Sequence, residues 1–325
     1  MRNTLLDLSI AYASKNTQAI IDSLIRESSI LRTCGVEFSN NGFKHTFPVV
    51  TELPSVAVRG LNEGTSPSKG VKALKEISLK IFETKQSEDY LMCENYPGGT
   101  QKFFADNAPL YAEALAQAIS KSLVYGTHPT LGNPKGFPGL YQAVKESGNI
   151  AGSGTGASGS QYSILCVRWK PGVTGLVVPT YQGKSLDDFL KVKVLNGGNP
   201  VSIPTGVGDE ELTVYQAVYN IVAGLQVGSV YSVSVVNKLQ NTSGKNITAS
   251  QMNDLVDSVN YSSGDGITFI YCSRKVKSRI GDLKDSKYYS VLQDKDYNNV
   301  LEFWRGIPIM VEDNMTMTET DDLWA

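Results

Sequence analysis

The chain has 325 residues, of which 41% are hydrophobic and 19% are charged. This composition can build a core in one large domain or two ordinary ones, and it excludes a compositionally disordered chain. The formal net charge of -2 argues against a protein whose main work is to grip nucleic acid, because such a protein needs an excess of Lys and Arg.

Cysteine spacing and hydropathy indicate the compartment. No CxxC pair is present, so we expect buried, reduced thiols rather than disulfides or a zinc cluster. The widely spaced cysteines are Cys34, Cys93, Cys166 and Cys272. No apolar run approaches the roughly 18 residues of a membrane span, and the N-terminus opens no signal peptide. We expect a soluble protein made in a reducing cytoplasm, without a membrane partner.

The first predicted element is an amphipathic helix at residues 16–34. Asn16 or Thr17 can cap its start, and it should end near Gly35. Its apolar side chains fall on one stripe: Ile20, Ile21, Leu24, Ile25 and Leu31.

A two-stranded arm is predicted next, from about Phe43 to Lys85. Its first strand includes the apolar run at residues 54–58, "PSVAV", and a Gly- and Ser-rich tip separates it from the second. In the second strand, apolar residues alternate with Lys72, Glu76 and Lys80. These apolar residues are Val71, Ala73, Ile77, Leu79 and Ile81. Because a two-stranded ribbon is marginal by itself in water, the arm must lie against something.

The longest predicted helix covers residues 98–126. Thr100 can cap its start and Gly126 its end, and Pro109 predicts a kink or a late start. A small-residue tract at residues 151–160, "AGSGTGASGS", has the composition of a flexible linker.

The C-terminal half alternates less regularly between strands and helices. Strands are predicted through residues 162–239, and a helix at 248–260 starts with a capping box of Thr248 and Gln251. Its inward residues are predicted to be Met252, Leu255, Val256 and Val259. A buried strand at 267–273 leads into a basic helix, and residues 300–315 form a turn and a strand. Without a βαβα alternation, the fold class is mixed α+β.

Signatures of catalysis are weak along the chain. His45 and His128 lie in no metal-spaced motif, so a structural role is favoured for both. The "GTGASG" run at 154–159 lacks the preceding strand and following helix of a dinucleotide site, and "GKS" at 183–185 lacks the earlier glycine of a phosphate loop. We therefore predict no enzyme, and no catalytic, cofactor-binding or metal-binding residue.

Charged clusters are interpreted as surface. The carboxylate pairs at 187–188, 210–211 and 321–322 are adjacent in sequence, so their side chains diverge. A solvated face or a set of intersubunit salt bridges is favoured over a phosphate site for the basic helix, whose cations spread over more than one face. These cations are Arg274, Lys275, Lys277 and Arg279.

Five segments in chain order resemble the major capsid proteins of tailed bacteriophages, in particular a group with a short N-terminal arm. "AIIDSLIRESSILR" resembles the amphipathic N-terminal helix of that family, and "ELPSVAVRGLNEGTSPSKG" resembles its extended loop. "LAQAISKSLVYG" with "NPKGFPGL" is similar to the end of its spine helix. "LCVRWKPGVTGLVVP" and "GLQVGSVYSVSVVNKL" are similar to strands of its body, and "FWRGIPIMVEDNM" to the strand near its C-terminus.

The resemblance implies the tailed-phage and herpesvirus type of major capsid fold. Its parts would be an N-terminal arm, an extended β-hairpin loop, a long spine helix, a peripheral domain and an axial domain. The implied divisions are 1–42 (N-terminal arm with its amphipathic helix), 43–87 (extended loop), 88–145 (peripheral domain with spine helix), 146–239 (strand-rich body shared by both domains), 240–298 (axial domain) and 299–325 (C-terminal strand returning to the peripheral domain).

The resemblance also implies a function. Copies of the chain would assemble in the host bacterial cytoplasm into hexamers and pentamers of an icosahedral capsid around double-stranded DNA, which would be contacted only non-specifically. A portal and a separate scaffolding protein would be further partners. The extended loop would cover a neighbouring subunit through Val56, Val58, Arg59, Glu63, Val71, Ala73, Ile77, Leu79 and Ile81. We expect no cross-link through Lys69, Lys72 or Lys75, because no motif selects one of them.

Four alternatives stay open from the sequence. Both faces of the ribbon could pack within one chain. The protein could instead be an encapsulin-type nanocompartment shell, or another virion part such as a tail-tube or decoration protein. It could also be a hydrolase that uses Asp187 or Asp188, although no orienting partner for either can be named.

Overall fold

The computed structural model describes residues 28–179, 190–205, 210–259, 266–283, 287–293 and 300–324, together with Thr4. The apolar stripe predicted from Ile20 to Ile25 and the carboxylates Asp187 and Asp188 lie outside these residues. In the described part of the predicted helix at 16–34, Ser28 is extended and caps a separate short helix, Ser29–Thr33, so the predicted continuous helix is interrupted at Ser28; its end before Gly35 is as expected.

The chain forms helices and strands in mixed order. The helices are α1 (Ser29–Thr33), α2 (Tyr90–Glu94), α3 (Gly99–Tyr125), α4 (Leu140–Ser147), α5 (Ala249–Asp257) and α6 (Arg274–Gly281). The strands are β1 (Val36–Phe38), β2 (Lys44–Glu52), β3 (Val71–Ser78), β4 (Lys80–Asp89), β5 (Ile150–Ser153), β6 (Gln161–Trp169), β7 (Thr174–Val178), β8 (Leu190–Val194), β9 (Val201–Pro204), β10 (Glu211–Val227), β11 (Val233–Gln240), β12 (Ile267–Cys272), β13 (Tyr289–Gln293), β14 (Val300–Trp304) and β15 (Ile307–Val311). The predicted α+β class is confirmed.

A six-stranded sheet is organised around β10, which is 17 residues long. One edge of β10 pairs antiparallel with β4 along ten residues, from Val214 to Ala223. Its other edge pairs in succession with β9, β8 and β7, and β1 then joins β7 in parallel. One long strand therefore ties together segments from most of the chain.

A seven-stranded sheet has the order β13-β14-β15-β12-β6-β11-β5. Every residue of its interior strand β6 is buried. Leu165 and Val167 face the larger core with α3 and α4, whereas Ile164 and Cys166 face a second core with α5 and α6. A strand with both faces covered reads as a continuous apolar run rather than an alternation, which is the pattern of "YSILCVRW".

The long helix α3 has 27 residues and packs its apolar face on β4 and β10. Its predicted end is confirmed, because Gly126 is the C-cap. Its predicted start is wrong: Gly98, with a φ of 104°, is the N-cap, and Thr100 lies inside the first turn. Glycine suits this position because positive φ is strained for other residues. Pro109 lies within the helix and does not delay its start.

The small-residue tract at residues 151–160 is not the expected linker. It begins in β5, which pairs in parallel with β11. A Cβ on Gly154 would lie 2.4 Å from the Lys238 carbonyl oxygen, so the glycine permits a close backbone approach to β11. The tract is glycine-rich because it packs against a strand.

The predicted C-terminal elements are confirmed. The capping box is present at the start of α5, where Thr248 Oγ1 accepts from Gln251 N and Gln251 Oε1 accepts from Thr248 N. All four residues predicted to face inward from this helix are buried. The basic helix α6 follows β12 directly, and β14 turns into β15.

Two fully buried carboxylates fasten the C-terminal segment. Glu312, just beyond β15, accepts hydrogen bonds from Ser28 Oγ (3.0 Å), the Ile30 amide (3.0 Å) and Ser120 Oγ (2.8 Å). It therefore joins the start of α1 to the C-terminal part of α3. Glu319 plays a similar part further on, with partners on α3, α4 and β6.

Candidate functional site

The arm is a two-stranded sheet of β2 and β3, paired antiparallel from Lys44–Ser78 to Glu52–Val71. Its base is fixed to the body, because the buried His45 ring nitrogen Nε2 lies 3.0 Å from Gln226 Oε1 on β10. The second predicted strand divides at Leu79: β3 ends before it, and β4 continues beyond it as an edge of the six-stranded sheet. The arm thus projects from the end of a rigid strand.

One face of the arm packs on its own body. His45 and Phe47 are buried there, and Val49 further out is half-buried. Lys75 on the same face forms an ion pair with Glu146 of α4, with 3.3 Å between Nζ and Oε2. Two cavities, of about 340 and 540 Å³, lie between the arm and the body, and Lys75 and Glu146 line both of them. The alternative that the ribbon packs within its own chain is therefore correct for the base of this face only.

The opposite face of the arm carries apolar side chains that are largely exposed. Pro48 pairs with Leu74 across the ribbon, and Lys72 pairs with Val50. Leu74 is 76% exposed and Val50 is 54% exposed. Sequence alternation missed both residues, because it placed the apolar face on Val71, Ala73 and Ile77. Alternation gives the face of each side chain within β3, but only the register with β2 shows that Pro48 lies beside Leu74 on the second face.

The tip at residues 53–70 is held by its own hydrogen bonds and contains no strand, so the strand predicted over 54–58 is wrong. Arg59 Nη1 donates to the Glu63 carbonyl (2.8 Å), and the Gly60 amide donates to Glu63 Oε2 (2.7 Å). Asn62 lies at the apex of this turn with a φ of 68°. Arg59 and Glu63, proposed from sequence as contacts, therefore also shape the tip.

The turn presents three large apolar side chains to the outside. Val56 is 92% exposed, Val58 is 100% exposed and Leu61 is 94% exposed. Scattered exposed apolar residues are normal on a protein surface, but three almost fully exposed large apolar side chains close together in sequence at the end of an arm indicate an interaction surface. We call Val56, Val58 and Leu61 the tip cluster.

The remaining predicted contact residues lie elsewhere. Leu79 is buried in a small core with Val177 and Val222 of its own chain, and Ile77 packs against this core. Ile81 lies on β4 opposite Val222 of β10, and its side chain is 58% exposed on the sheet surface. The structure therefore does not bring the alternating residues together on one open face.

Three of the four cations proposed for intersubunit salt bridges have partners within the chain. Arg274 lies 2.6 Å from Asp313, Lys277 lies 3.4 Å from Glu302, and Arg279 lies 3.2 Å from Asp282. Lys275 is the exposed fourth member of the group.

The cysteines and His128, which could in principle take part in catalysis, lie in buried positions. All four cysteines are buried without a disulfide, and burial raises the pKa of Cys272 to about 12, far from a reactive thiolate. His128 lies 3.3 Å from Asp322 near the C-terminus. Among the described residues, no group of three or more His, Cys, Asp or Glu side chains could hold a metal ion. No helix in the same residues is long and apolar enough to cross a membrane.

Comparison with known proteins identifies the family. A family model described as "Major capsid protein GP7" matches residues 13–321. The chain belongs to the GP7 family of major capsid proteins. A search of curated protein sequences finds no match.

Solved structures confirm the fold of this major capsid protein. The structure of bacteriophage Epsilon15 aligns with a TM-score of 0.59 and 17% identity, over 89% of this chain and 87% of that chain. The bacteriophage JBD30 capsid aligns with a TM-score of 0.51 and 9% identity, over 89% and 91%. The tailed-phage capsid fold expected from the sequence is confirmed.

The SrpI encapsulin of Synechococcus elongatus PCC 7942 is a more distant neighbour. It aligns with a TM-score of 0.46 and 9% identity, over 68% of this chain and 90% of that chain, which carries no argument about function. The family match makes the chain a subunit of a bacteriophage capsid shell, located in the virion. The role of the family is structural, and the family match favours the capsid shell over the nanocompartment and tail-protein alternatives.

Proposed function

We propose that this capsid protein assembles into hexamers and pentamers in which the arm of each subunit lies on its neighbour. One observation carries the proposal: the tip cluster is almost fully exposed in the single chain and is held outward by a hydrogen-bonded turn. Val71 and Ala73, exposed near the tip, would extend the contact down β3.

The energetics favour such a contact. Burying a Val or Leu side chain contributes about 1.5–3 kcal/mol. Each tip inserted into a neighbour would therefore stabilise the shell by several such increments, repeated at every subunit. Because the turn is already formed by Arg59 and Glu63, little ordering entropy is lost on contact.

The wider assembly follows the same proposal. A portal and a separate scaffolding protein would join the shell, which would form in the bacterial cytoplasm and enclose double-stranded DNA. The mild net charge of -2 suits an inner wall that confines DNA without gripping it. The divisions 88–145 and 240–298 would correspond to a peripheral and an axial domain.

The test is to place charge on the tip cluster. In the double variant Val58→Asp with Leu61→Asp, we expect folded subunits with an unchanged thermal midpoint and a shell yield reduced at least about tenfold, since two buried carboxylates oppose the contact. Electron microscopy and sedimentation of the full chain, expressed with its phage partners, would measure the yield.

The matched control is Thr65→Asp with Ser66→Asp. It adds the same charge to the same tip but removes no apolar side chain. Normal shells from the control and none from the first variant would support the proposal. Normal shells from both would show that the tip cluster is not a subunit contact.

A further inference from the structure

A cavity of about 480 Å³ lies where two parallel strands end together. β12 and β15 are parallel neighbours, paired from Ile270–Ile309 to Cys272–Val311. β12 leads at once into α6, and β15 leads into the turn at residues 312–317. The cavity is thus a crevice at the carboxyl ends of parallel strands, next to a helix N-terminus, which is a common place for ligand sites in α/β structures.

Ser273, the N-cap of α6, is the unusual group in this crevice. It is 7% exposed and lines the cavity, yet its hydroxyl makes no cap bond and has no hydrogen-bond partner. A buried hydroxyl without a partner is destabilising, because it has lost its hydrogen bonds to water. The first helical hydrogen bond of α6 runs from the Lys277 amide to the Ser273 carbonyl (3.0 Å), so the amides of the first turn have no acceptor within the helix.

The charges around the crevice are mostly positive. Lys121 of α3, Arg274 and Lys275 line it, against the single carboxylate of Asp313. Asp313 is neutralised by Arg274 at 2.6 Å. Of the other polar groups that line it, Asn314 donates to Glu312 and the Thr316 amide donates to Tyr125. The groups available at the crevice are therefore the ammonium groups and the helix-terminal amides, with the unpaired Ser273 hydroxyl buried in its wall.

We propose that this crevice binds a phosphate group, with Ser273 and the first-turn amides of α6 as hydrogen-bond donors and Lys275 and Lys121 as counter-charges. Free phosphate carries between one and two negative charges at neutral pH, and a phosphodiester of nucleic acid carries one. Both place several acceptor oxygens around one centre, which suits hydroxyl and amide donors beside three cations and one carboxylate. The site goes beyond the shell contact and depends on none of the arm residues.

The source of the phosphate is either free phosphate or the backbone of nucleic acid, since both present the same oxygens. In the first experiment, inorganic phosphate is titrated into the full-length chain and binding is measured by calorimetry. A titration with sodium chloride at equal ionic strength is the reference. We expect Ser273→Ala and Lys275→Glu each to weaken binding by about tenfold or more, because each removes a bond to a charged ligand.

Two controls make the result specific. Lys135→Glu changes the same charge on an exposed lysine outside the cavity and should leave phosphate affinity unchanged. Without phosphate, Ser273→Ala should unfold at the same or a higher temperature than the native chain, because it removes an unpaired buried hydroxyl. If the Ser273 hydroxyl served only to stabilise the fold, Ser273→Ala would instead unfold at a lower temperature than the native chain.

The second experiment replaces inorganic phosphate with a short DNA duplex. Loss of both phosphate and DNA binding in Lys275→Glu would identify the nucleic-acid backbone as a source, and loss of phosphate binding alone would identify free phosphate. The proposal is overturned if phosphate binds no better than chloride, if acetate binds equally well, or if neither variant weakens binding.

Discussion

Glu319 shows how a single residue can make the stability of the subunit depend on pH. Its carboxylate is fully buried and accepts hydrogen bonds from Tyr125 on α3, Tyr141 on α4 and Ser163 on β6. Burial raises the pKa of Glu319 to about 8, although the three donors act in the opposite direction. Burial also raises the pKa of both tyrosines well above 10, so Glu319 is the member of the group that titrates near neutrality.

The sign of the effect follows from proton linkage. The unfolded chain releases the Glu319 proton near the ordinary value of 4.5, whereas the folded chain keeps it up to about pH 8. The folded state binds more protons in this window. The stability that protonated Glu319 contributes is therefore fully present below the lower pKa and is lost as pH rises through the upper one.

We expect Glu319→Gln to flatten this dependence. The free energy of unfolding of the native chain should fall by up to about 1.4 kcal/mol per pH unit across the window, and that of the variant by clearly less, because Gln carries no proton to lose. Urea denaturation of unassembled subunits between about pH 6 and about pH 9 measures the two slopes. Glu52→Gln, an exposed carboxylate, is the control. Parallel curves for all three proteins would contradict the assignment.

The part played by Glu319 and Glu312 could not be predicted from the sequence. Capping of α5 was predictable, because Thr248 and Gln251 are three residues apart and satisfy each other locally. The partners of Glu319 lie 156 to 194 residues away. Only the packing of α3, α4 and β6 against the C-terminal segment makes this carboxylate structural, and no local pattern marks it.

At the scale of elements, the arm is a ribbon with one attached end. Phe47 is buried at the base, stacked on His45 with ring centroids 5.9 Å apart, and it lines a cavity with Leu225 and Val227 of β10. Beyond this point the ribbon has few contacts with the body, so the base controls how firmly the tip is presented. Segments with few buried contacts open locally at low free energy.

Phe47→Ala is therefore expected to loosen the arm without unfolding the body. The opening free energy of β2 and β3, measured by amide hydrogen exchange, should fall by about 3 kcal/mol, since a buried aromatic side chain is lost. Protection in β6 should not change. Val50→Ala, on the exposed face of the same strand, should alter exchange by less than about 0.5 kcal/mol. Equal loss of protection in β6 would show that the arm and the body open as one unit.

Prediction of the elements succeeded where the hydrophobic periodicity of the segment determines its structure, and it failed where a neighbouring strand does. The alternation from Val71 to Ile81 correctly predicts extended chain, but it runs without interruption through Leu79, where the structure passes from the ribbon to the body sheet. Alternation reports which face a side chain takes and not which strand lies beside it. For the same reason the glycine-rich tract at 151–160 was mistaken for a linker, although it packs on β11.

At the scale of the whole molecule, the proposed contact between subunits rests on apolar surface and low net charge. The formal net charge of -2 leaves little mutual repulsion, and the tip cluster offers apolar area at the end of each arm. The described cations of α6 pair largely within their own chain. A shell held by such contacts depends on burial of apolar surface more than on attraction between charges.

Shell assembly should therefore tolerate salt. Raising sodium chloride from about 0.1 M to about 1 M shortens the screening length from about 10 Å to about 3 Å, which weakens ion pairs at exposed contacts but not the burial of Val58 or Leu61. We expect light scattering and sedimentation to show an undiminished yield of shells from the native chain over this range. The control variant Thr65→Asp with Ser66→Asp should behave alike at high salt, where its added charges are screened. Dissociation of native shells at about 1 M salt would instead assign the subunit contact to ion pairs and remove the tip cluster from it.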